Sequence, residues 1–131
     1  VVKASYFRFP RPSHVDLSPA EWIHGLHGGA VETAMMLHLR PDLVHTQEIR
    51  DFPSAAADMN DSLHHVRPEG YAPFAWMATD LNPDGVTGDA RLASAEMGSA
   101  LVLHYGTILA EIIEDAARFP LDRLFDATDG N

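Results

Sequence analysis

The longest periodic stretch of the chain runs from Leu92 to Phe119, where Leu101, Tyr105, Ile108, Leu109, Ile112, Ile113 and Ala116 fall on one helical stripe. A helix with a single apolar face has to lie on other elements, and Pro120 stops it. Ala30 to Leu39 reads AVETAMMLHL. Its residues are good helix formers, apolar on most faces, and end at Arg40-Pro41, the pattern of a buried helix. Two helices are therefore expected, the longer one packed on the body of the domain.

That remaining chain reads as short strands and loops. Residues 1–9 combine β-branched and aromatic side chains and stop at Pro10 and Pro12, which predicts a strand followed by a loop. Ser18-Pro19-Ala20-Glu21 has an N-cap serine, a proline at the first helical position and a glutamate three residues past the cap. The short helix it starts is interrupted by Gly25, Gly28 and Gly29. Leu43-Val44-His45 and Ala75-Trp76-Met77-Ala78 are further strand candidates, and Asn82-Pro83-Asp84-Gly85 is strong turn chemistry leading into a second loop, Val86-Thr87-Gly88-Asp89. Residues 50–75 carry Pro53, Pro68, Gly70 and Pro73 and read as long irregular chain, which in a small domain points to a lid, a binding surface or a subunit contact. Phe74 and Trp76 beside it read as core aromatics. The polar end from Asp126 to Asn131 is expected to fray. Strands alternating with helices favour a layered α/β architecture, with residues 1–131 as one domain and only part of its sheet present. The opening Val1-Val2-Lys3 looks like a strand already under way, so an N-terminal portion is expected to precede it.

Composition narrows the function. The 46% hydrophobic and 21% charged content is that of a globular chain rather than a disordered one. A formal net charge of −10 repels a phosphate backbone or an anionic bilayer, which argues against nucleic acid and membrane partners. No stretch is apolar for long enough to span a membrane, and no basic segment followed by an apolar one opens the chain. A cytoplasmic protein is the expectation. With no cysteine, any metal would have to be held by His, Asp or Glu.

His27-Gly28-Gly29 is the stretch with chemical content. It lies just before the helix from Ala30, so two residues without Cβ allow close backbone approach while the first helical turn offers unpaired N–H groups able to hold a developing negative charge. Glu32 and Thr33 sit in that first turn, and an imidazole beside it suits general acid/base work. The same triplet is also what a plain tight turn with a structural histidine looks like, and the residues alone leave both readings open.

A resemblance adds to them. His27-Gly28-Gly29-Ala30-Val31-Glu32-Thr33-Ala34-Met35-Met36-Leu37, followed by Leu39-Arg40-Pro41-Asp42-Leu43-Val44, is similar to the creatininase-family segment in which His-Gly-Gly or His-Ala-Gly precedes Glu-Thr, a helix and Arg-Pro-Asp-Leu-Val. A later block, Asp80 to Asp89 and then Ala93-Ser94-Ala95-Glu96-Met97-Gly98, resembles the segment where Gly-x-x-Gly-Asp leads into an Ala-Thr-Ala-Glu-Lys-Gly helix. The resemblance covers nearly all of this chain and about the C-terminal half of a family domain.

It implies a layered α/β/α creatininase-like fold and two divalent metals, zinc or manganese, that activate water against the amide-like C–N bond of a small molecule. It also implies closed homo-oligomers, commonly hexamers, which would give residues 50–75 a partner surface. His27 takes the position of the proposed proton shuttle. Glu32 takes that of a glutamate that holds the turn together with Gly28 and Gly29, rather than a primary ligand. Most family metal ligands belong to an N-terminal half, in Glu-x-His, Asp and Asn-Gly-His elements absent from these residues, so that half would have to come from the same or another chain. Many relatives place an acidic residue directly after the triplet; here it is Ala30, and creatininase itself is likewise apolar there. Trp22 is one position out of step with a creatininase tryptophan, which argues against creatinine as substrate.

The other histidines carry less. His24 and His27 have i, i+3 spacing, but glycines on either side argue against one helix through both. His64-His65 reads as an exposed pair, His38 and His104 as partly buried packing residues, and His14 and His45 carry no motif. Three readings remain: an amidohydrolase completed by other residues, a non-catalytic binding or oligomerisation module of the same descent, and a metal-storage or sensing protein using its eight histidines. The scattered spacing of those histidines places the last behind the others.

Overall fold

The computed structural model describes residues 1–121 and Leu124; the polar stretch Asp126 to Asn131 lies outside the described residues. Helices and a small antiparallel sheet make up a mixed α/β fold.

Both expected helices form, and their packing on each other, which the sequence did not predict, is its centre. Helix α1 spans Pro19–His24, α2 Ala30–Leu39, α3 Ala55–Ser62, α4 Ala78–Leu81 and α5 Ala95–Arg118. At the start of α5 the Ser94 hydroxyl accepts from the Met97 N–H at 3.1 Å, so the helix begins after a side-chain cap. Helices α2 and α5 pack against each other at a point where only glycine fits: a methyl group on Gly98 would run into the carbonyl of Ala34. Val31 and Ala34 from α2, Leu101 and Tyr105 from α5, and Val15 form the buried cluster. Ala34 and Leu101 are fully enclosed.

Three of the predicted strands do not form. The first segment folds as a 3-10 turn, Tyr6–Arg8, whose aromatic neighbours lie on the core: the ring centroids of Tyr6 and Phe9 are 5.4 and 6.3 Å from that of Tyr105. Aromatic residues suit any half-buried surface, and Tyr6 and Phe9 cover the helix pair while Val1, Val2 and Phe7 stay exposed. Leu43-Val44-His45 is bracketed by 3-10 turns at Pro41–Leu43 and Thr46–Glu48, the first opened by a proline that fixes φ. Near Ala75 to Ala78 the chain enters α4, because the Asp80 carboxylate accepts from the Met77 N–H at 2.7 Å and closes a helical turn.

The segment 50–75 is more ordered than its prolines imply. Strand β1, Asp51–Phe52, pairs antiparallel with β2, Gly88–Asp89, in the register Asp51 to Asp89 and Phe52 to Gly88. Helix α3 follows, with the Ser54 hydroxyl accepting from the Ala56 N–H at 3.2 Å. The rest is irregular, pinned where the Trp76 indole donates to the Pro68 carbonyl at 3.0 Å. Phe74 and Trp76 are half-buried there, short of full core positions. Among the described residues no helix is long and apolar enough to cross a membrane.

Candidate active site

The two motif blocks meet in space. Helix α1 stops at His24, the chain turns through Gly25 and Leu26, and His27 forms an antiparallel bridge with Thr87 just ahead of β2. The Thr87 N–H donates to the His27 carbonyl at 2.7 Å, while the Thr87 hydroxyl accepts from the N–H groups of Leu26 and His27, each at 3.1 Å. Thr87 is completely buried, so these bonds are shielded from competing water. Gly28 sits at φ 68° and Gly88 at φ 115°, conformations closed to most other residues, which explains a glycine on each side of the bridge.

Glu32 holds the turn from inside. One carboxylate oxygen accepts from the Gly28 N–H at 2.7 Å and the other from the Tyr6 hydroxyl at 2.8 Å. The first of these oxygens also lies 3.5 Å from His27 Nδ1. Thr33 donates its hydroxyl to the Gly28 carbonyl at 2.9 Å. Burial, reinforced by the hydrogen bond to Glu32, pushes the Tyr6 hydroxyl far above its ordinary value, so Tyr6 remains a donor at every relevant pH. The His27 imidazole is itself open to solvent, with its side chain 57% exposed. The arrangement is an accessible imidazole with its Nδ1 edge turned to a carboxylate that a half-buried phenol and a backbone N–H fix in place.

A cleft of about 350 Å³ is lined by Gly28, Glu32 and Thr33 together with apolar side chains that include Met36, Ile49 and Phe52. A small, largely apolar ligand bearing one polar group suits this shape.

The main residue missed in the sequence is Glu21, read there only as the far end of a helix cap. Half of that cap forms, since the Glu21 N–H donates to the Ser18 hydroxyl at 3.1 Å. The carboxylate turns inward instead, accepting from the Ala30 N–H and the Asp89 N–H, each at 2.8 Å. Tyr6, read as part of a strand, and Thr87, read as part of a loop, were missed with it. The hint for Glu21 was the glycines: Gly25, Gly29 and Gly88 all crowd its carboxylate, and only their three-dimensional meeting makes that visible.

These carboxylates also change the expected role of the turn. The N–H groups of Gly28 and Ala30 are engaged by Glu32 and Glu21, so these two donors are not free to hold a developing anion.

Other expected positions separate from the site. His24 ends α1 half-buried, and Gly25 removes His27 from that helix. His38 is exposed near the end of α2, although it lies on the face that carries Val31 and Ala34 and its Cβ borders Gly98 of α5. His104 is half-buried, with Nε2 2.7 Å from the Pro10 carbonyl oxygen. His14, His45, His64 and His65 are exposed.

The sequence matches the creatininase family, described as creatinine amidohydrolase, over residues 1–113 of 131. The chain belongs to the creatininase family. The match takes in the first segment, the two blocks and most of α5, and spans more than the C-terminal half that the blocks alone imply. No curated protein and no solved structure matches the chain. Membership makes this a domain of the metal-dependent amidohydrolase type.

The residues described do not by themselves fit a two-metal site. The oxygens of Glu21 and Glu32 already accept hydrogen bonds from N–H and O–H donors, and Asp89 is paired with Arg91. Among the described residues no group of three or more His, Asp or Glu side chains converges as a metal would require. This holds too for the larger cleft of about 540 Å³ lined by Glu21, His24, Asp51, Asp58 and Asp89.

Proposed function

We propose that this chain contributes the proton-transfer half of a site that hydrolyses an amide or cyclic amide C–N bond of a small molecule. The observation that carries the reading is the pairing of an exposed His27 with a fixed Glu32 at the edge of an apolar cleft, in a chain of this family. A carboxylate facing Nδ1 favours the tautomer with the proton on that nitrogen and leaves Nε2 as base. From there His27 takes a proton from the attacking water and returns it to the departing nitrogen, which would otherwise leave as a poor, strongly basic group. Glu32, Gly28 and Gly29 hold the imidazole rather than touch substrate.

In this reading the family's two divalent ions, zinc or manganese, are held by residues other than those described, on the same polypeptide or a neighbouring copy, and the protein works as a cytoplasmic homo-oligomer, a hexamer by family likeness. The layered α/β/α family fold is then completed by those same residues.

The test is hydrolysis of a panel of cyclic amides and formamides with added Zn²⁺ or Mn²⁺, comparing wild type with His27→Ala. Removing a general acid/base should lower kcat by about 10²- to 10⁴-fold with metal content unchanged. An unchanged rate overturns the role of His27.

A second reading, a non-catalytic binding or oligomerisation module, draws on the outer half of α5, where Leu109 and Ile113 are 45% and 60% exposed. It predicts self-association without turnover of any amide in the panel.

A further inference from the structure

One buried charge has no part in that proton transfer. Glu21 is 8% exposed, and both of its carboxylate oxygens are engaged by backbone N–H groups rather than by a cation. A carboxylate is retained in such a place only when hydrogen bonds replace its water. Here the two donors come from different segments: Ala30 is the first residue of α2, and Asp89 is the last of β2.

The surroundings are shaped to this group. A methyl on Gly29 would lie 2.7 Å from Glu21 Oε1, one on Gly88 2.6 Å, and one on Gly25 closer still. No side chain at those positions is compatible with the carboxylate where it stands. His27 is strung between the two segments it joins, three residues before Ala30 and bridged to Thr87, two residues before Asp89. The distance between the start of α2 and β2 is thus set by Glu21, and the main chain of His27 follows from it.

We propose that Glu21 is a positioning residue for His27, a buried carboxylate that fixes the catalytic turn by clamping the N-terminus of α2 to β2. The catalytic half of this statement rests on the reading of His27 as the proton-transfer group; the structural half does not.

The experiment is Glu21→Gln in the full chain. The amide keeps the size of the side chain but offers one accepting oxygen, so one of the two N–H groups loses its partner. Hydrogen exchange at the Ala30 or Asp89 amide should accelerate by about 10- to 100-fold. The His27 Cε1–Hε1 signal in a ¹H–¹³C NMR spectrum should move with it. In the active form kcat should fall by about 10- to 100-fold with KM within about twofold, as for a misplaced catalytic group. Gly25→Ala decides the case if Glu21→Gln does not fold, because its methyl presses on the carboxylate and main-chain carbonyl of Glu21 and keeps the carboxylate. It too should move the His27 signal. Loss of amide protection with the His27 signal unmoved would make Glu21 a purely structural brace and overturn the proposal. If wild type hydrolyses no amide, the catalytic reading of His27 fails, while the NMR comparison still decides the clamp.

Discussion

The turn at His27 and the crossing of α2 with α5 lie at opposite ends of one short chain of cause, and they are held together by different physics. At the crossing the contact is steric: Gly98 lets α5 reach the Ala34 backbone, and Leu101 and Tyr105 close behind it. At the turn the fastening is polar: Glu21, Glu32 and Thr87 each accept two hydrogen bonds, four of the six from backbone N–H groups of residues 26–30. Packing places α2 as a body, and the carboxylates and the threonine then set the few residues in front of it. A catalytic group gains from this division, because hydrogen bonds fix direction more tightly than dispersion does.

The largest effect should come from breaking the crossing. Gly98→Val drives a branched side chain into the Ala34 carbonyl, and neither backbone can yield without parting the helices. Overpacking usually costs about 1–3 kcal/mol, and here, against main chain, about 3 kcal/mol or more is expected. Urea unfolding should report it as a large drop in midpoint. A drop comparable to that of an exposed-site control would show that the helices are held elsewhere.

Breaking the turn should cost less overall and more locally. Thr87→Val keeps the volume of a fully buried residue and removes the acceptor for the Leu26 and His27 N–H groups. Two donors losing part-buried bonds, at about 1 kcal/mol each, should lower stability by about 2 kcal/mol. Turnover of an amide substrate by the folded variant should fall further than for a core variant of equal stability loss, such as a mild truncation at Leu101. Equal losses of activity would erase the distinction between the two regions.

The two helices of the crossing were legible in the sequence, while their pairing at Gly98 and the clamp were not. The apolar stripe of α5 and the packed composition of Ala30 to Leu39 announce two helices, because burial on one face leaves a period that any window can see. The same stripe could not say that Leu109 and Ile113 stay uncovered, since periodicity reports a face and never its partner. Short strands failed for a related reason: Tyr6 and Phe9 pack on the helix pair and Trp76 on the turn at Pro68, surfaces that suit the same side chains as a strand does. At the site, His27, Glu32 and the glycines lie within a few residues of one another, so local spacing found them. Glu21, Thr87 and Tyr6 act across 9, 60 and 26 residues, on Ala30, His27 and Glu32 respectively, and no local pattern encodes such distances.

Asp89 offers the gentlest way to separate side chain from main chain in the clamp. Its N–H belongs to Glu21, but its carboxylate faces outward and accepts from Arg91, with Nε and Nη2 both 2.8 Å away. The Arg91 guanidinium holds that carboxyl below the ordinary aspartate range. A folded value lower than the unfolded one means a contribution that is complete above the unfolded value, about 4, and disappears as pH falls through the folded value. Replacing the group by Asp89→Asn should therefore cost a little at pH 6, and the gap between the two melting temperatures should close as pH drops from about 4 towards 2. The change should be the smallest of the set, because an exposed pair is screened by water and salt. It should also leave the His27 NMR signal in place, since the main-chain bond from Asp89 to Glu21 is untouched. A gap that stays constant down to pH 2 would assign the effect of the substitution to something other than the ion pair. A moved His27 signal would mean that the outward carboxylate, and not only the N–H behind it, helps to hold the turn.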